Sequence, residues 1–165
     1  MIATDATAAL WFLPFVAPIA LWVAWSDMKF MRIPNISVIA LVAVFLVIGP
    51  LALPIAEWGW RWTHLAVVLV AGFVLSVAGA LGAGDAKFAA AMAPFVALGD
   101  LRLFLALFAA TLIAAFVAHR GLRAVPAFRA ATPDWASWTH RKFPMGLALG
   151  GSLAIYLLLA VATGR

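Results

Sequence analysis

At 165 residues, 67% apolar and only 10% charged, with a mean hydropathy of +1.13, the chain lacks the polar residues to surround a core of its own, which excludes a water-soluble domain. Eleven Lys and Arg against six Asp and Glu give a net charge of +5, and the absence of cysteine excludes a disulfide framework, a thiolate zinc site and a cysteine nucleophile. The composition predicts an all-α, polytopic membrane protein, one integral-membrane domain over residues 1–165, with the bilayer as solvent.

The first apolar run, residues 6–26, has no Lys or Arg before it and no small-residue cleavage site after it, so it is expected to be a membrane span and not a secretion signal. It closes on Ser26-Asp27-Met28-Lys29. Ile33-Pro34-Asn35 then marks a tight turn, because proline disfavours helix at the residue before it and suits the first turn of the next helix. A second span is expected over 36–56, followed by Trp58, Trp60 and Trp62 as an interfacial belt. The third, 64–83, ends at Gly82-Ala83-Gly84-Asp85-Ala86-Lys87. The fourth apolar segment, 87–99, is bounded by Lys87 and Asp100 and gives only about 20 Å of helix, so it either crosses as a short element or re-enters. A fifth span covers 101–118. Residues 119–142 form the one sizeable polar connection, expected to lie along the membrane surface through Trp135 and Trp138, and a sixth span, 144–163, opens on Phe143-Pro144-Met145-Gly146.

Charge asymmetry decides the fourth segment. With about six spans, Lys29, Arg32, Lys87, Arg120, Arg123, Arg129, Arg141 and Lys142 share one side, leaving Arg61, Arg102 and Arg165 on the other. If 87–99 did not cross, the basic loop 119–142 would change sides and the bias would largely vanish. Both termini are therefore expected outside and the basic loops in the cytoplasm, against anionic lipid headgroups, which explains the positive charge without nucleic acid.

This topology puts Asp27 and Asp85 at the ends of two spans on the cytoplasmic side. Asp5, Glu57 and Asp100 fall outside and Asp134 in the basic loop, all as solvated charges. Acids at the edge of a bilayer usually face the bundle interior and are functional candidates, the alternative being that both merely end their helices. Two carboxylates a few ångströms apart do not both ionise easily; one keeps a proton while the other stays charged, the pairing that hydrolysis of a peptide by water requires. The repeated Asp-x-Lys adds Lys29 and Lys87, either pairing across the bundle or anchoring the cytoplasmic side. Gly82 and Gly84 leave room for a substrate backbone, or simply favour close helix packing, as Gly79 is expected to do. Asn35 either orients a carboxylate or carbonyl or starts its helix. His64, His119 and His140 are dispersed with no metal-ligand spacing, and no serine has an acid–base partner nearby in sequence.

Three stretches together, Asp27-Met28-Lys29 with Ile33-Pro34-Asn35, Gly82-Ala83-Gly84-Asp85-Ala86-Lys87, and Phe143-Pro144-Met145-Gly146, resemble the type IV prepilin peptidases, intramembrane aspartyl proteases of the Gly-x-Gly-Asp class. The resemblance implies a bacterial inner-membrane enzyme in which Asp27 and Asp85 are the catalytic pair. It further implies that Gly82, Gly84, Lys29, Lys87, Pro34, Asn35, Pro144 and Gly146 shape the site, and that the substrate is a prepilin or pseudopilin cut at the cytoplasmic face to remove a short basic leader. Larger members carry Cys-x-x-Cys motifs in a cytoplasmic insertion and also methylate the new N-terminus. This chain has neither, so it is similar to the short, peptidase-only branch of tight-adherence pili, with no methyl transfer, cofactor or metal expected and pilus-assembly machinery as a possible partner. Two other classes compete: a small proton-coupled transport or channel subunit, which would want acids at several depths, and a non-enzymatic membrane subunit of a pilus machine.

Overall fold

A computed structural model describes residues 2–164. It is all-helical: α1 (Ala6–Phe30), α2 (Asn35–Ala52), α3 (Ile55–Val77), α4 (Ala83–Met92), α5 (Leu101–Ala124), α6 (Pro126–Ala131) and α7 (Met145–Thr163), with 3-10 turns at Ala93–Phe95, Leu98–Asp100 and Ala136–Trp138. Five helices, α1, α2, α3, α5 with its preceding turn, and α7, are long and apolar enough to cross a membrane. The bundle turns large apolar side chains outward, among them Leu21, Val67, Phe73 and Ile113, as a protein solvated by lipid does. Its centre is Phe12, Phe45, Phe88, Phe95, Leu153 and Tyr156, all fully buried.

The short fourth segment runs from one end of the bundle to the other, although it is not among the five long apolar helices. α1 starts just after Thr4 and carries Asp27 in its last turn; Asp85 lies at the Asp27 end, whereas Asp100 accepts hydrogen bonds from the backbone of Ala3 and Thr4 at the other end. Ten helical residues give about 15 Å, half the roughly 30 Å hydrocarbon core. The 3-10 turn Ala93–Phe95 and the irregular Val96 and Ala97 extend it, and this stretch from Pro94 on is buried in protein, a setting in which such backbone is tolerated at membrane depth. Its polar groups are met by side chains. Arg61, itself buried and held by Glu57 at 2.6 Å, donates to the carbonyls of Pro94 and Phe95 at 3.2 and 3.4 Å, and the amide of Ala97 donates to the Tyr156 hydroxyl at 3.3 Å.

α1 and α7 are the most extensively packed pair and run antiparallel. Gly146 and Gly150, one turn apart on α7, let α1 come close: a Cβ on Gly150 would stand 2.5 Å from the carbonyl oxygen of Ala20. α3 packs on α4, with Gly72 against Ala86.

Several expectations are corrected. α3 starts at Ile55, not at residue 64, because Glu57 and Arg61 pair along one helix face and the tryptophans ride on it. Only Trp60 is well exposed; Trp58 covers Gly49 and donates to the carbonyl of Phe45 at 3.1 Å, and Trp62 packs edge-on against Phe45. Gly79 does not serve close packing. Its φ of 75° and the bonds Gly79 N to Ser76 O and Ala80 N to Leu75 O form a Schellman cap that ends α3 six residues short of the predicted boundary, and the space a Cβ would take there is open. Asp5 is not merely solvated: it caps α1 by accepting from the amides of Thr7 and Ala8. Glu57 likewise engages Arg61, and Asp100 is 3% exposed and fully bonded. Trp138 does not lie on the surface; it is buried between His119 and Trp135 and donates to Thr132. His119, expected in a loop, is therefore buried at the end of α5.

Candidate active site

Asp27 sits in the last turn of α1, 5% exposed. α1 stops four residues later because Met31 adopts a left-handed conformation, φ 53° and ψ 40°, and its amide bonds back to the carbonyl of Asp27 at 2.9 Å. A non-glycine residue in this region costs about 1–2 kcal/mol, so the turn immediately after Asp27 is held by its surroundings. Pro34 stands at the cap position in extended conformation and α2 begins at Asn35, one residue later than a first-turn proline would give. The hydroxyl of Ser26 donates to the carbonyl of Arg32 at 2.9 Å, tying the turn shut from inside.

Asp85 does not end the third span. Gly82 is the extended cap residue of α4, so Asp85 is the third residue of a new helix, where an acid is favoured by the unpaired amides and by the helix dipole. Its carboxylate folds back over Gly82, where an added Cβ would lie 2.5 Å from Asp85 Oδ2. At Gly84 a Cβ would meet Ile33 at an ordinary 3.5 Å, so that glycine is not required by space in this structure.

The two acids, on α1 and α4, line one cavity of about 540 Å³ at the same end of the bundle, close enough for Asp85 to feel the charge of Asp27. The cavity wall also takes in Gly82, Gly84, Asn35 and Lys87. Lys87 Nζ donates to Asn35 Oδ1 at 3.4 Å, bridging α4 and α2 across the mouth. Gly146 supplies the most direct contact: its amide donates to Asp27 Oδ2 at 2.7 Å, and a Cβ there would come within 2.8 Å of Asp27 Cβ. Pro144, buried at the cap position of α7, leaves that first-turn amide free to point at the carboxylate. Pro34 shapes the neighbouring turn without lining the cavity. Lys29 lies apart, its ammonium over the rings of Trp25 and Phe30 at 5.4 and 5.3 Å.

Residues that sequence reasoning left aside also face the cavity: Arg32, His140, Lys142 and Phe143. His140 lies within charge range of Asp27 and Lys142 within charge range of Asp85. Both come from the chain just before α7, and their nearness to Phe143-Pro144-Met145-Gly146 is the signal that would have found them.

Chemically, the cavity joins two carboxylates on separate helices, one oriented by a backbone amide, to a rim of positive charge. No curated protein and no solved structure matches the chain significantly. The model of the type IV leader peptidase family matches residues 14–119, well over half of the chain and inclusive of both aspartates, and the chain therefore belongs to the type IV leader peptidase family.

Proposed function

We propose that this peptidase is an aspartyl endopeptidase that removes the leader of type IV prepilins, with Asp27 and Asp85 sharing one proton. The ionised carboxylate takes a proton from water as the water attacks the scissile carbonyl. The protonated one donates to the carbonyl oxygen and later helps the amine leave. The Gly146 amide fixes one oxygen of Asp27, so the other is free for water or for the proton shared with Asp85. The basic end of the bundle is taken as cytoplasmic by the excess of Lys and Arg there, which puts cleavage at the cytoplasmic face of the inner membrane. The absence of cysteine and the short connection between α1 and α2 favour a peptidase without methyltransferase activity, acting on tight-adherence prepilins or pseudopilins.

The observation that carries this reading is the meeting of Asp27 and Asp85 in one polar cavity within a chain of the leader peptidase family. A proton path across the membrane is less well supported, because residues 88–99 carry no titratable group between the pair and Asp100. The test is cleavage of a purified tight-adherence prepilin in liposomes, followed by product mass. Wild type is expected to release the leader, and Asp27→Asn and Asp85→Asn to leave the precursor intact while folding normally. Near wild-type cleavage by either variant would remove that aspartate from the mechanism.

A further inference from the structure

The polar cavity is one of two hollows that reach Asp85. α3 packs on α4 and α5 packs on α7, but α3 and α5 scarcely touch, and between them runs a groove of about 600 Å³ with α4 as its floor. Its walls are Val67 and Val68 on α3 and Leu105 and Phe108 on α5. Val67 is 66% and Leu105 55% exposed, so the groove opens sideways, toward lipid. Ala89 and Ala93 run down the floor below Asp85, one turn apart, small residues that let another helix approach closely, with Met92 and Val96 beside them. Apart from Asp85 no Asp, Glu, Lys or Arg lines it, and Asp85 and Met145 belong to both hollows.

We propose that this groove docks an apolar transmembrane helix of the substrate alongside α4, with the helix ending at Asp85. The inference rests on the peptidase reading and adds a position for each side of the scissile bond. The apolar side lies in the groove and the polar side crosses into the basic-rimmed cavity, so the bond cut is the junction between the two.

Three features select this occupant. The groove runs from the carboxylate past Val96 to Leu98 and Trp60, along α4 and the turns that follow it, so that an apolar helix can lie beside them. Its lining is uncharged except where it meets the reacting acid, which suits an apolar segment whose polar end stops there. Its side opening admits a helix already in the bilayer, whereas the other cavity is rimmed by charged side chains such as Arg32, Lys87 and Lys142.

The chain contains no cysteine, so single cysteines report position cleanly. Val67→Cys and Leu105→Cys, with Leu46→Cys on the exposed face of α2 as control, are placed in the Asp27→Asn background and reconstituted in liposomes. The probe is a synthetic polypeptide with a polar leader and an apolar helix of about 20 residues, carrying one cysteine at stepped positions. Expected are disulfides from both groove positions to probe sites recurring every three to four residues, and none from Leu46→Cys. Equal crosslinking at all three positions, none in the groove, or enzyme-to-enzyme crosslinks at Val67→Cys would overturn the proposal.

A kinetic arm separates docking from chemistry. Leu105→Trp in the otherwise native chain is expected to lower kcat/KM for the helical probe by about tenfold or more, while cleavage of a short soluble peptide with the same junction stays within about twofold. Equal loss on both substrates, or no loss on either, as with lipid as the occupant, would reject the groove. Failure of wild type to cut either substrate would instead overturn the peptidase reading, and the crosslinks would still decide docking.

Discussion

Each end of the bundle buries an aspartate, and the two are used differently. Asp100 accepts from the amides of Ala3 at 2.6 Å and Thr4 at 2.9 Å and from the Tyr156 hydroxyl at 2.7 Å. Tyr156 in turn pairs with Thr4 and receives the amide of Ala97, so one cluster ties the N-terminal segment, the end of the fourth segment and α7 together. Asp27 has a single hydrogen bond, from Gly146, and faces a cavity shared with a second acid. A carboxylate has about four acceptor positions; three taken, as at Asp100, make a clamp, and one taken beside another carboxylate, as at Asp27, leaves capacity for water and a proton. Burial alone does not tell the two apart, since Asp27 and Asp100 are 5% and 3% exposed. Hydrogen-bond saturation does.

The sharpest way to break this contrast is to neutralise each acid. Asp27→Asn and Asp85→Asn are expected to lower kcat/KM for prepilin cleavage by about a thousandfold or more with little change in unfolding temperature, because the lost charge has no structural bond depending on it beyond Gly146. Asp100→Asn should do the reverse. Its new NH2 group would face an amide donor, leaving a buried polar group unpaired at a cost of about 1–3 kcal/mol, read as a lowered unfolding midpoint in detergent with catalysis of the folded fraction retained. Loss of activity without loss of stability in Asp100→Asn would erase the distinction between the two ends.

Much of this was legible in the chain. Apolar runs gave the five long helices, and charge asymmetry called for a fourth segment that runs from one end of the bundle to the other. What composition cannot show is how so short a segment is carried through the interior, because the answer lies in partners distant in sequence: Arg61 for the carbonyls of Pro94 and Phe95, Tyr156 for the amide of Ala97. The same limit hid the role of Asp100, whose partners are some 56 and 97 positions away. It hid Trp138 as well, whose indole reads as a surface anchor until His119 and Trp135 are found on its faces. The third span was placed late at its start because charges at Glu57 and Arg61 read as a loop when they pair within a helix.

Gly146 and Gly150 sharpen the comparison within one helix. Both admit α1, but Gly146 meets Asp27 while Gly150 meets the backbone of Ala20. Gly146→Ala is expected to displace the carboxylate and its amide bond, lowering kcat by about tenfold or more with a moderate fall in stability. Gly150→Ala drives a methyl into a carbonyl that cannot rotate away, so its effect should be mainly on folding, about 1–3 kcal/mol. Measuring kcat and the unfolding midpoint for both separates positioning of the acid from packing of the helices.

The smallest expected effects come from the two lysines, which the sequence presents as equivalents in Asp27-Met28-Lys29 and Asp85-Ala86-Lys87. On a helix, residues two apart diverge by about 200°, so neither lysine pairs with its own aspartate, and the surroundings decide where each goes. Lys29 swings outward over Trp25 and Phe30, while Lys87 reaches the cavity mouth and Asn35. Lys87→Gln is therefore expected to raise KM by about threefold to tenfold with kcat nearly unchanged, because it touches the mouth and not the two acids. Lys29→Gln should change neither constant by more than about twofold, since a cation over aromatic rings near the surface contributes about 0.5–1 kcal/mol to local packing only. An equal rise in KM for both variants would mean that Lys29 acts on the substrate through general surface charge, and raising the salt concentration would then shrink both effects together.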